Sequence, residues 1–174
     1  MALRDELLEL SDRAWQRLAD RVAGLTDDEY LWEPVPGCWT VRPDPADPAG
    51  AWTADFRWPP PDPPPVTTIG WRLAHLVTDD RFRVWLGLPA VAGRPTPTVP
   101  RSAADAVEAV ATTAAQRRSD LLEMTDADLW QPIGPVGGPY GDGTRVSWVL
   151  HTLDEAIHHG AEVGVLRDLY RASG

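Results

Sequence analysis

The sequence predicts an all-α fold: a four-helix bundle with long loops between helices 1 and 2 and between helices 3 and 4. Three observations predict it. Apolar residues recur at three- and four-residue steps in four long stretches. Two Gly/Pro-rich segments interrupt them, one inside each half of the chain. No stretch alternates apolar and polar residues well enough to compete as a strand. At 174 residues the chain suits one domain, 1–174, long enough to bury a substantial core.

The first helix is expected over residues 2–24, with Leu3, Leu7, Leu10, Ala14, Leu18, Val22 and Leu25 on its apolar side and Gly24 as its C-cap. Thr26-Asp27-Asp28-Glu29 then reads as the N-cap and first turn of a short helix, stopped by Pro34 and Pro36. From Pro34 to Pro65 the chain is rich in Pro, Gly and Trp. Because Trp32, Trp39, Trp52 and Trp58 all need somewhere to bury their rings, an ordered loop over one end of the domain is expected, with a ligand-pocket wall as its other use.

Thr67-Thr68 caps a helix over 68–88, with Ile69, Leu73, Leu76, Val77, Val84 and Leu88 facing inward and Gly87 and Pro89 ending it. Ser102 caps the next, over 102–124, which buries Ala106, Val107, Val110, Ala114, Leu121 and Leu122. A Gly/Pro loop from Pro132 to Gly143 leads to the last helix, from 145 to 163 or beyond, with Val163, Leu166, Leu169 and Tyr170 continuing the pattern. The two halves echo each other. Leu25-Thr26-Asp27-Asp28-Glu29-Tyr30-Leu31-Trp32 resembles Met124-Thr125-Asp126-Ala127-Asp128-Leu129-Trp130, each after a long helix and before a loop.

Composition excludes several roles. A net charge of −10 repels a nucleic acid, and no Arg run forms a local basic patch. All sixteen basic residues are Arg. The single cysteine, Cys38, allows no intramolecular disulfide and fits a reducing compartment, and with no base beside it a structural role is favoured over a nucleophile. The charged opening and the lack of a long apolar run predict a cytoplasmic protein that neither carries a leader nor spans a membrane.

Chemistry concentrates near the C-terminus. His151, Glu155 and His159 are spaced i, i+4, i+8, which stacks them on one stripe of a helix. His75, the one histidine outside this cluster, lies on a helix expected to face it. His75, Glu155 and His159 form a two-His, one-carboxylate set with room for water or substrate, as a catalytic divalent-metal site requires. A packed polar core without metal explains the same residues about as well. His151 reads as a fourth ligand or a partner of one. His158 points about 100° from His159 and is expected to pack or lie exposed. Asp79 is a lesser candidate, favoured as a solvated residue, and Gly160 and Gly164 suggest close approach of a neighbouring helix.

On these residues the chain resembles the DinB-like superfamily of four-helix-bundle proteins. The resemblance covers most of the chain. It is carried by Leu31-Trp32-Glu33-Pro34, Gly37-Cys38-Trp39-Thr40-Val41-Arg42, Trp71-Arg72-Leu73-Ala74-His75-Leu76, and His158 through Tyr170. Many members hold a divalent metal with three histidines, one on the second helix and two spaced by four on the last. Here the first of the last-helix pair matches Glu155, a departure shared with mycothiol-dependent maleylpyruvate isomerase, whose additional C-terminal domain and substrate-binding Arg find no counterpart in this reading. The resemblance implies metal ligands His75, Glu155 and His159, with zinc first and nickel, manganese or iron able to take the same donors. It further implies a low-molecular-weight thiol, with mycothiol as a candidate, activated toward a small electrophile, and a homodimer. The alternatives are a non-catalytic metal- or ligand-binding bundle and a metal-dependent hydrolase.

Overall fold

The computed structural model describes residues 2–173. Its elements in chain order are helix α1 (Leu3–Val22), α2 (Asp27–Leu31), strands β1 (Val41–Pro43) and β2 (Trp52–Ala54), then α3 (Ile69–Val77), α4 (Arg81–Trp85), α5 (Ala103–Leu122), α6 (Asp126–Leu129) and α7 (Arg145–Ser173). A 3-10 segment over Pro135–Tyr140 precedes α7. The fold is all-α apart from the small antiparallel hairpin. Both α1 and α3 pack on α5 and α7, so α1 lies diagonal to α3 and the two long loops cross the bundle ends.

Four helix starts follow from an N-cap side chain that satisfies orphan backbone donors. Thr68 accepts from the Trp71 amide, and Ser102 from the Asp105 amide. Both halves of the internal echo close reciprocal capping boxes, Thr26 with Glu29 and Thr125 with Asp128. Gly24, at φ 67°, takes the left-handed turn that ends α1.

The core forms two clusters. One gathers Leu18, Tyr30, Ile69, Leu73, Val110 and Val163; the other gathers Leu7, Phe82, Trp85, Leu121, Val149 and Leu153. Helix α7 runs past both. Beside it, a Cβ built on Gly160 would lie 3.8 Å from Leu18 and one on Gly164 3.2 Å from the Arg21 side chain, so both glycines admit α1 closely.

Several expectations need correction. The helix expected over 68–88 breaks at Thr78-Asp79-Asp80 into α3 and α4. The Thr78 hydroxyl donates back to the Ala74 carbonyl, and the Asp79 carboxylate accepts from the Arg81 amide, both local alternatives to helical bonding. The break rotates the frame, so Val84 faces solvent while Phe82, Trp85 and Leu86 turn inward. On the other helices Leu122 and Leu169 are exposed. The Trp-rich loop is ordered and contains the hairpin, contrary to the expectation of no strand, but Trp58 is 79% exposed rather than buried.

Candidate metal centre

The loop fixes the first of three candidate ligands. Asp55 anchors it by accepting from the Thr40 amide and pairing with Arg42, while its own carbonyl accepts from Trp71 Nε1 at 2.7 Å. The Trp71 ring so held stacks on His75, with centroids 5.4 Å apart and planes within 4°. Stacking on this face and a hydrogen bond from its Nε2 to Glu155 together orient the exposed imidazole.

Across the groove, α7 presents Glu155 and the buried His159 one turn apart. His75 Nε2 lies 2.9 Å and His159 Nε2 3.1 Å from the same Glu155 oxygen. One donor atom from each of the three falls within 4.8 Å of the others. Two imidazole nitrogens and a carboxylate oxygen thus converge on one point, a donor set suited to a borderline divalent ion.

Glu162 and Arg72, which the sequence reading missed, complete the arrangement. His159 Nδ1 donates to Glu162 at 2.7 Å, and Arg72 pairs with the same carboxylate. That bond keeps the proton on Nδ1 and leaves the Nε2 lone pair facing Glu155, the arrangement by which carboxylates orient metal-bound histidines. Spacing held the signal: Glu162 is i+3 from His159, and Arg72 is i−3 from His75. A second cluster, His158, His159 and Glu162, also brings donors within reach. Arg72 Nη1 lies 3.2 Å from His159 Nδ1, so its fixed positive charge opposes a cation there.

Electrostatics suit two of the candidate ligands to a cation. Burial, reinforced by His75, draws His159 down to about 4 against the attraction of Glu155, so the ring is neutral near pH 7. Burial pushes the Glu155 carboxyl up, but the hydrogen bond from His75 and the three nearby histidines outweigh it and hold it below its ordinary range.

His151 stacks on Trp148, and its Nε2 stands 4.0 Å from Glu155, outside the convergent trio. His158 is exposed and lies 3.2 Å from Glu162. Asp79 sits mostly buried against Arg81, not on a solvated face. Cys38 is buried, its thiol donating to the Val35 carbonyl. A cavity of about 630 Å³ opens beside the trio, with His75, Glu155, His151 and Trp58 in its wall. No helix among the described residues is long and apolar enough to cross a membrane.

A family model, the DinB superfamily, matches residues 49–163, which include all of the trio. The chain belongs to the DinB superfamily. Among solved structures, this DinB protein is similar to a conserved protein from Enterococcus faecalis, at 16% identity and a TM-score of 0.61, with 97% of each chain covered. That likeness is one of fold, and it spans nearly the whole of both chains. No curated protein matches it.

Replacing Glu162 by Gln is expected to weaken zinc binding by about 10–100-fold while the fold is kept. Competition with a chromogenic chelator measures it; an unchanged affinity would place Glu162 outside the site.

Proposed function

We propose that this DinB protein is a divalent-metal-dependent enzyme that activates a low-molecular-weight thiol toward a small electrophile, with His75, Glu155 and His159 as the ligands. The observation that carries this reading is the convergence of His75 Nε2 and His159 Nε2 on one Glu155 oxygen, with His159 backed by Glu162. Superfamily membership supports it. A bound ion would supply Lewis acidity, lowering the pKa of a thiol placed in the open position.

The remaining work falls to the chain's own residues. Glu162 and Arg72 hold the His159 ring, and Trp71 holds His75. His151, in the cavity wall and not hydrogen-bonded to Glu155, takes the thiol proton at Nε2 and returns it to the leaving group or to the product carbon. The thiolate sulfur then forms the new bond to the electrophilic carbon. In a substitution the leaving group departs with the displaced electron pair and takes the proton; in an addition the pair moves to the neighbouring carbon, which takes the proton. Trp58 and Leu76 line the cavity and supply apolar surface for the electrophile.

A zinc-loaded sample assayed with 1-chloro-2,4-dinitrobenzene and a panel of thiols tests this. Thioether formation should need both metal and thiol. His151→Ala should lower turnover roughly 10²-fold with zinc content unchanged. Equal rates with and without metal would overturn the reading, and ester hydrolysis without thiol would move it to a metal-dependent hydrolase.

A further inference from the structure

Arg117 falls on the inward stripe of α5, in step with Ala106, Val110 and Leu121, where an apolar residue is expected. Its side chain is 6% exposed and lies between the two core clusters, with Trp15 at 5.4 Å and Phe82 at 5.3 Å from the guanidinium carbon. Nη2 donates to the Leu76 carbonyl at the end of α3. Among the described residues no carboxylate pairs with it. The two carboxylates near enough to be felt are taken: Asp79 by Arg81, and Asp120 by Arg83 and Arg94. Burial draws the guanidinium down to about 10, partly offset by those two carboxylates, and it stays charged at neutral pH. A buried, unpaired charge is costly, and a fold keeps one where something else supplies the counter-charge.

Arg117 stands in the wall of the same cavity as His75 and Glu155. The other fixed charges of that wall are Asp79, Asp80, Arg81 and Glu155. With a divalent ion on the ligands, two guanidiniums and the ion exceed three carboxylates by one positive charge. A monoanion balances that excess, whereas a phosphate monoester brings about −1.5 to −2 and overshoots.

We propose that Arg117 is the anion-recognition residue of this site, binding a carboxylate carried by one of the two reactants beside the metal ligands. The reaction and the charge count rest on the metal reading; the Arg117 contact, argued from its burial without a carboxylate partner, does not. It gives the electrophile or the thiol a defined chemical class, a small organic acid. The carboxylate takes the N–H groups of Arg117 that Leu76 leaves free, and the aromatic and aliphatic wall from Trp58, Leu76 and Tyr140 holds the organic body.

Calorimetric titration with benzoate and with its neutral isostere benzamide tests this, on zinc-loaded and metal-free protein at one ionic strength. Benzoate should bind at least tenfold more tightly than benzamide, and more tightly with zinc than without. Arg117→Gln should lose that tenfold in both forms, with zinc stoichiometry unchanged. The benzoate–benzamide comparison on the wild type needs no variant, so a poorly folding Arg117→Gln leaves the test intact. Equal binding of the two probes, or benzoate binding unaffected by Arg117→Gln, would overturn the proposal. Failure to load zinc would instead sink the metal reading and leave the metal-free titration to judge Arg117. If saturating 3-mercaptopropionate displaces benzoate, the thiol carries the carboxylate; if both bind together, the electrophile does, and either result supports the site.

Discussion

Replacing Arg167 by Ala is expected to cost about 3–5 kcal/mol of folding stability, the loss that follows when one partner of a buried ion pair is removed. Arg167 is 5% exposed on α7 and meets Glu29, 4% exposed on α2, through Nε at 3.0 Å and Nη2 at 2.9 Å. Its other N–H groups go to the carbonyls of Arg21, Ala23 and Gly24, so one side chain also caps the end of α1. Alanine would leave the buried Glu29 carboxylate with the Thr26 cap and the more distant Arg171 as its partners, and three terminal carbonyls without their Arg167 donor. Thermal unfolding should shift down by roughly 10 °C or more for a chain of this length. A shift under a few degrees would show that the clasp contributes no more than a surface pair.

The same clasp sets an acid response. The Arg167 hydrogen bond, against the opposing effect of burial, holds the Glu29 carboxyl below its ordinary 4.5. A carboxylate with a depressed folded pKa contributes stability that is complete above its unfolded value and fades as pH falls through the folded one. The wild type should therefore lose melting temperature progressively below about pH 4.5, and Glu29→Gln should flatten that loss. Parallel pH–melting curves for the two proteins would refute the assignment.

Glu155→Ala is expected to abolish stoichiometric zinc binding while the circular dichroism spectrum stays helical. Glu155 is half-buried and belongs to neither core cluster, so its removal leaves the packing intact. It takes away one of three ligands and the only negative one, a larger loss than the 10–100-fold expected from a residue behind a ligand. His159→Ala should behave alike, whereas His158→Ala should bind zinc as the wild type does. Retained zinc in Glu155→Ala would move the ion elsewhere.

The bundle was legible because its helices carry long apolar stripes and side-chain caps, and the candidate ligands because i, i+4 spacing fixes a helix face. The break at Thr78-Asp79-Asp80 was harder to see, since the apolar residues Val77, Val84 and Leu88 continue at plausible steps across it. The decisive bonds, from the Thr78 hydroxyl and to the Asp79 carboxylate, are local and leave no periodic mark. The hairpin strands are three residues each, too short to display alternation. Arg117 and Arg167 both stand on inward stripes, a pattern the sequence does contain. Which acid each would meet depends on helices brought together by the fold: Glu29 is distant from Arg167 in sequence, and Arg117 finds none.

The central claim is that His75, Glu155 and His159 hold a divalent ion. Its most direct test is elemental mass spectrometry of untagged wild-type protein, before and after loading at neutral pH and removal of free metal. The account predicts close to one zinc, or another divalent ion, per chain. No retained metal after loading would contradict it, and the His–Glu–His trio would then be polar packing between α3 and α7.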